Sequence, residues 1–186
     1  MNWFKISQQD ITQQYADLAT SPGDIQITGS GVGETLNING TNISAREMLN
    51  QIVSAIRPTL LANGVRQIDT NPISQANAQG LAVSSEVGVI HVDIGKIFNL
   101  HKQALPPTAQ FDGTQIDPDI LTDLAKKILN SIQGEIAETS LHESWHSRQF
   151  GEAVQQNKPF SSVQESPADQ FGKKMRKQHF PESFSQ

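Results

Sequence analysis

A chain of 186 residues with a formal net charge of -5 and no cysteine is long enough for one domain, and its composition already excludes several kinds of function. The 14 Lys and Arg residues form no stripe large enough to follow a phosphate backbone, so we expect no nucleic-acid partner. Without cysteine, disulfides, thiolate metal sites and cysteine nucleophiles are excluded, and any metal must be bound by His, Asp or Glu.

The organisation of the chain is predicted from its apolar segments. The first residues, MNWFKISQQDITQQ, lack the apolar core and cleavage site of a secretory signal, and no apolar run reaches membrane-spanning length. We therefore expect a soluble, cytoplasmic protein with no membrane partner, although export without a classical signal is compatible with this sequence. Residues 1–20 are predicted to be a polar arm, residues 21–178 a single domain, and residues 179–186 a flexible tail. Within the domain we expect a sheet and helix lobe to about residue 150 and a helical part over about 151–178.

The first predicted element of the domain is a β-hairpin. Apolar residues at 25 and 27, and again at 36 and 38, alternate with polar residues on either side of the segment GSGVG. The spacing of these glycines does not match the dinucleotide-binding fingerprint, and no helix pattern opens directly after them. We interpret the glycine segment as the tip of the hairpin.

A helix and two short strands are predicted next. Ser44 and Glu47 form a capping box ahead of apolar residues at helical spacing, so the helix should run from about residue 45 into the sixties. Pro58 should kink or restart this helix, and Asn63-Gly64 should end it. Short extended segments are expected near residues 67–69 and 81–84.

The clearest strand pattern is GVIHVDI, residues 88–94. One face carries the apolar side chains of residues 90, 92 and 94, and the other carries Val89, His91 and Asp93. The simplest interpretation of the second face is a hydrogen-bonded pair of His91 and Asp93. Residues 101–116, which contain Pro106-Pro107 and Asp112-Gly113, are expected to form an irregular loop overhanging a cleft.

Two helices are predicted in the last third of the chain. Asp117-Pro118-Asp119 opens the first with a capping carboxylate, a proline at the first helical position and an acid in the first turn, and Gly134 should bend or divide this helix. A polar segment follows over 151–163. The second helix is expected over about 166–178, with Ser166 as its cap and Pro167 at its first position, which leaves Glu165 just outside. Its basic residues at 173, 174, 176 and 177 are expected to complement the helix dipole and face solvent.

The sequence motif with the most chemical content is H-E-x-x-H, formed by His142, Glu143 and His146. Positions four apart share one face of a helix, so both imidazoles can bind one metal ion. Glu143 then lies beside the ion, where a general base could take a proton from a bound water. The alternative is a surface helix on which two histidines happen to be neighbours.

A catalytic zinc site requires a further His, Asp or Glu, because such sites use three protein ligands and a water. Glu165 lies downstream in ESPADQFG, with Asp169 four residues later. The H-E-x-x-H motif followed by this E-x-x-A-D motif resembles the gluzincin, or thermolysin-like, branch of the zincin metallopeptidases, and in particular its compact bacterial members. The resemblance covers about residues 120–178.

The resemblance implies an α+β fold: a minimal zincin-like domain with a small twisted sheet, an H-E-x-x-H helix and a C-terminal helix that carries a ligand. It also implies that His142, His146 and Glu165 bind Zn²⁺, that Glu143 is the general base, and that Asp169 orients His142. The expected activity is hydrolysis of a peptide or protein substrate. By the same resemblance, the strand over 88–94 would border the cleft and pair with the substrate, with Val89 and His91 contacting it.

Other interpretations of the same residues stay open. The chain could instead be a non-catalytic, zinc-stabilised binding or structural module, or a specialised hydrolase acting on one partner protein. Two histidines and a glutamate would also accept cobalt, manganese or iron. No residue is identified for stabilising an oxyanion: the only tyrosine is Tyr15, and Arg148, Arg176 and His179 are interpreted as surface residues.

Overall fold

The computed structural model describes residues 24–38, 41–104 and 118–184, which form a mixed α+β fold. The strands are β1 (Gln26–Thr28), β2 (Thr35–Ile38), β3 (Thr41–Ser44), β4 (Gln67–Asp69), β5 (Gly80–Ala82) and β6 (Val89–Val92). The α-helices are α1 (Ala45–Ala62), α2 (Ile94–Ala104), α3 (Pro118–Gln155) and α4 (Glu165–His179).

The main sheet has four strands in the order β1-β4-β6-β5. Strands β1, β4 and β6 are parallel, whereas β5 runs antiparallel to β6 with Leu81 opposite His91. Ile68 and Ile90, on the two central strands, are fully buried. Strand β5 is therefore an edge of the sheet, and α3 packs alongside it.

The hydrophobic core lies between the sheet, α1 and α3. Aliphatic side chains supply most of it, because the apolar stripes of both helices face the buried side of the sheet. Its fully buried members from these elements include Leu49, Ile52, Ile56, Leu60, Ile68, Ile90, Val92, Ile132, Ile136 and Leu141.

The predicted N-terminal hairpin is wrong. Strand β1 pairs in parallel with β4, and β2 pairs with β3 in a separate two-stranded sheet. The glycine segment forms a 3-10 turn, Ser30–Gly33, that lies against Thr70: the Gly31 N–H donates to the Thr70 carbonyl (3.1 Å), and a Cβ on Gly31 would collide with Thr70. The glycines therefore permit close approach to another part of the chain.

Helix α1 agrees with its predicted bounds and cap. The Ser44 hydroxyl accepts a long hydrogen bond from the Glu47 N–H (3.5 Å). The helix runs through Pro58 without a restart, and Gly64 follows its end at φ 84°, the left-handed conformation expected there. Strands β4 and β5 also lie where short extended segments were expected.

Strand β6 ends earlier than predicted. Asp93 follows it, and its Oδ1 accepts a hydrogen bond from the Lys96 N–H (2.9 Å), which caps the unpredicted helix α2. Ile94 therefore belongs to a helix, and Asp93 makes no pair with His91. Residues 101–104 of the predicted loop are the end of α2; the rest of that loop lies outside the described residues.

Helix α3 begins at Pro118, as predicted, and Gly134 does not divide its 38 residues. A Cβ at Gly134 would collide with Ser183, so the glycine makes room for a neighbouring segment. That segment is a 3-10 turn, Pro181–Phe184, within the residues predicted to form a flexible tail, and it packs against α3. Among the described residues, no helix combines the length and apolar composition needed to cross a membrane.

The predicted start of the last helix is wrong by two residues. Helix α4 begins at Glu165, after an extended Gln164, and not at Pro167 with Ser166 as cap. Pro167 is tolerated at the third position because the first four N–H groups of a helix have no partner within it. Glu165 is consequently part of the helix, which fixes the direction of its backbone relative to α3.

Candidate metal centre and cleft

The structure brings the three proposed metal ligands together. His142 and His146 lie one turn apart on α3, and Glu165 reaches them from the start of α4. The two Nε2 atoms are 3.0 Å apart, and the Glu165 Oε2 is 3.2 Å from each of them. Two imidazole nitrogens and a carboxylate oxygen therefore form a nearly equilateral triangle.

This triangle fits a tetrahedral metal ion. Ligand atoms about 2.0–2.2 Å from zinc at tetrahedral angles are roughly 3.3–3.5 Å apart, only slightly more than the separations here. The donor set also matches, because zinc binds imidazole and carboxylate in catalytic sites. Both histidines are at least partly buried while the Glu165 side chain is exposed, so the site opens toward solvent on one side.

Outer hydrogen bonds orient both imidazoles. The Nδ1 atom of His142 lies 3.0 Å from the Asp169 Oδ1, as the sequence led us to expect. The Nδ1 atom of His146 lies 3.0 Å from the Gln149 Oε1, a partner that we did not predict. Donation of Nδ1–H to these oxygens leaves each Nε2 lone pair free to bind a metal.

Glu143 is buried beside the triangle, with its Oε1 3.9 Å from the His142 Nε2. Burial and the nearby charge of Glu165 raise the pKa of Glu143 to about 8, although a hydrogen bond from the backbone of Ala82 lowers it. Gly80 leaves room for this carboxyl group, because a Cβ at Gly80 would lie 2.6 Å from the Glu143 Oε1. The edge strand thus both contacts and confines the candidate base.

A cleft of about 660 Å³ contains all of these groups. Its floor is one stripe of α3. One wall consists of strand β5 and the preceding segment 75–79, and the opposite wall is the inner face of α4. The stripe consists of Glu135, Glu138, Thr139, His142, Glu143 and His146. The sequence motif identifies only His142, Glu143 and His146 of this stripe, and helical spacing backwards from His142 identifies the others.

At the end of the cleft beyond the histidines, two carboxyl groups of the floor have side-chain partners. Arg176 donates to Glu138 (2.8 Å), and His101 is hydrogen-bonded to Glu135. Burial by itself would raise the pKa of Glu135, but hydrogen bonds from His101 and Gln79 outweigh it and lower that pKa. Glu135 is thus favoured as a carboxylate at this end of the cleft.

The structure does not place Val89 and His91 in this cleft. Strand β6 lies between β4 and β5, so it is not an edge strand, and the prediction that it pairs with a substrate is wrong. Both residues face a different cavity, where His91 is hydrogen-bonded to Asp69 (2.9 Å) and Glu86. Burial alone would lower the pKa of His91, but the two carboxylates raise it above its ordinary value.

Of Arg148, Arg176 and His179, Arg176 alone lines the cleft, which corrects its interpretation as a surface residue. Its guanidinium also donates to the Ser183 hydroxyl (2.9 Å). Arg148 lies over the Trp145 ring and pairs with Glu152, and His179 borders a separate cavity. The direction of a side chain on α4 depends on how α4 packs against α3, which local sequence does not show.

Comparisons with protein-family models, with curated proteins and with solved structures found no match for this chain. The chemistry of the site itself is therefore the basis for assigning a function.

Proposed function

We propose that this protein is a zinc-dependent metallopeptidase with a zincin-like fold. The observation that carries the proposal is the meeting of His142, His146 and Glu165 in one cleft with the buried carboxyl group of Glu143. A cluster of ligands alone would suggest only metal binding. The adjacent carboxyl group, confined by the edge strand, adds a group able to transfer protons.

Zinc held by these three side chains would polarise the scissile carbonyl group and lower the pKa of a water molecule toward 7. Glu143 would accept a proton from that water and later transfer it to the leaving amine. A hydrogen bond from the Ala82 backbone and the close approach of Gly80 confine Glu143 beside the triangle, which supports this role. Asp169 keeps the His142 ring oriented throughout.

Strand β5 supplies a route for substrate binding. It is an edge of the sheet, and Gly80, Leu81 and Ala82 line the cleft. An extended peptide can add to such an edge through main-chain hydrogen bonds, with its scissile bond over the α3 histidines. Gly80 has no side chain to obstruct this approach.

A zinc-stabilised module without catalysis is the second candidate. It is favoured by the origin of the ligands on two helices, because a metal at this point would tie α4 to α3. This alternative explains the triangle of ligands but gives no role to the buried carboxyl group of Glu143, whose burial is unfavourable to its charge.

The two functions are separated by metal analysis and peptide cleavage on the same set of proteins. Wild type should bind one zinc ion per chain and cleave members of an unstructured peptide library. His146→Ala should lose the metal, and His179→Ala, outside the cleft, should keep both properties. Glu143→Gln should keep the metal and lose cleavage; a Gln variant that cleaves normally would refute the mechanism. Zinc binding without cleavage of any peptide would favour the structural module.

A further inference from the structure

One wall of the cleft is a segment without regular secondary structure, residues 73–79, which leads directly into the edge strand β5. Its residues on the cavity are Gln75, Asn77, Ala78 and Gln79. Inside the segment the Ala78 N–H donates to the Gln75 carbonyl (3.2 Å), and most of its side chains are exposed. The shape of this wall must therefore be maintained by contacts with other parts of the chain.

Lys96, in the first turn of α2, makes three of those contacts. Its Nζ donates to the carbonyl oxygens of Ile73 (2.6 Å), Gln75 (2.7 Å) and Ala78 (3.1 Å). An ammonium group has three N–H donors, so all of them are used on this one segment. The side chain is 29% exposed, so these bonds are partly shielded from water.

Asp93 completes the attachment. Its Oδ2 accepts from the Ile73 N–H (2.8 Å) and lies 3.6 Å from the Lys96 Nζ, and its own N–H donates to the Gln79 carbonyl (2.8 Å). The carboxylate is almost fully buried, so the nearby ammonium offsets the cost of burying its charge. Both ends of the segment are thus attached to the same two residues: Ile73 to the side chains of Lys96 and Asp93, and residues 78–79 to the Lys96 side chain and the Asp93 backbone.

We propose that Lys96 is a positioning residue for the cleft: its ammonium gathers three carbonyl oxygens of residues 73–79, as a bound calcium ion does in other loops, and so fixes the wall that faces α3. That this wall contacts a peptide rests on the proposed function; the positioning itself does not. Arginine could not replace Lys96, because a planar guanidinium fork does not match three converging carbonyls as a compact ammonium does.

The absence of cysteine from the chain makes a clean chemical test possible. Lys96→Cys introduces a unique thiol. Reaction with 2-bromoethylamine converts it into a thioether analogue of lysine, whereas iodoacetamide gives a neutral side chain. Lys173→Cys, at an exposed position on α4, receives the same two treatments as a control. Lys96→Met repeats the neutral change without chemical modification.

The first readout is hydrogen exchange of peptides covering residues 71–80 in the zinc-supplied full-length protein. The neutral Lys96 derivatives should exchange at least about tenfold faster there, while peptides from α3 and α4 are unchanged and zinc is still bound. The aminoethylated protein should regain slow exchange. Equal exchange in the charged and neutral derivatives would overturn the proposal.

The second readout is peptide cleavage. A displaced wall should raise KM about tenfold with a smaller change in kcat, and aminoethylation should restore KM. Neutral derivatives with unchanged KM would overturn the role of Lys96 in the cleft. If wild type binds zinc but cleaves nothing, the proposed function fails, and the exchange comparison still decides whether Lys96 positions the wall.

Discussion

Replacement of Glu143 by Gln should stabilise the metal-free protein at neutral pH, because the carboxyl group is buried in a place that disfavours its charge. Its pKa is raised from 4.5 to about 8 in the folded protein. Between these two values the folded state holds a proton that the unfolded state has released, so the free energy of unfolding falls as pH rises. Gln is neutral at every pH and can still accept the Ala82 hydrogen bond.

The magnitude follows from the pKa difference. Each pKa unit corresponds to about 1.4 kcal/mol. The carboxyl group of Glu143 should therefore make the free energy of unfolding of wild type about 3 kcal/mol lower at pH 7 than near pH 4.5. This loss should be absent in Glu143→Gln. It should also reach a plateau above pH 8, where both states are ionised. Three kcal/mol is roughly a fifth to three fifths of the unfolding free energy of an ordinary domain.

Urea unfolding of the chelator-treated proteins between pH 4.5 and pH 9 measures this difference, with Glu182→Gln as an exposed control. The unfolding free energy of wild type minus that of Glu143→Gln should fall as pH rises to 8, whereas the control should follow wild type. A difference that does not change with pH would refute the electrostatic reasoning.

Since a nearby cation favours the ionised carboxylate, zinc addition at pH 7 should release about one more proton from wild type than from the Gln variant, as measured by calorimetry in two buffers.

Three further predictions concern the surroundings of the site. Gly80→Val should displace the carboxyl group of Glu143 and reduce peptide cleavage by roughly a hundredfold while zinc binding persists, whereas loss of both would indicate general unfolding. Asp169→Asn should weaken zinc binding by about 10–100-fold through disorientation of His142, measured by competition with a chromophoric chelator; unchanged affinity would show that the contact has no orienting role. His91→Gln should destabilise the protein most below pH 6.5. Because the pKa of His91 is raised in the folded protein, its stabilisation is complete below the unfolded pKa and is lost as pH rises through the folded pKa. A pH-independent effect of the substitution in urea unfolding would contradict this.

The elements that the sequence predicted well are those specified by local interactions. Helix α1 follows from a capping residue and an apolar period, and the start of α3 follows from the Asp117-Pro118 pair. The position of both histidines on one face of α3 is equally local, because a separation of four residues fixes it wherever the helix lies. Such features depend on a few neighbouring residues and need no knowledge of distant parts of the chain.

The parts that could not be predicted depend on distant pairing. Alternation of apolar and polar residues shows which face of a strand is buried, but not which strand lies beside it. The sequence therefore could show neither that β1 pairs with β4 nor that β6 lies between two other strands. The cap of α2 at Asp93 was hidden because the apolar alternation of β6 continues into Ile94. The capping carboxylate of Asp93 is a local signal for the start of α2, but the strand pattern of the preceding residues obscures it in the sequence.

The sequence by itself determined the chemistry available to this protein: histidine and carboxylate side chains as the candidate metal ligands, without thiolates, and a glutamate next to the first histidine. Only the tertiary structure decided that Glu165 reaches both histidines, that Gly80 and Ala82 confine Glu143, and that Lys96 holds the facing wall. The physical reason is that ligand identity is a property of single side chains. The distances between them are set by how α3, α4 and the sheet pack together.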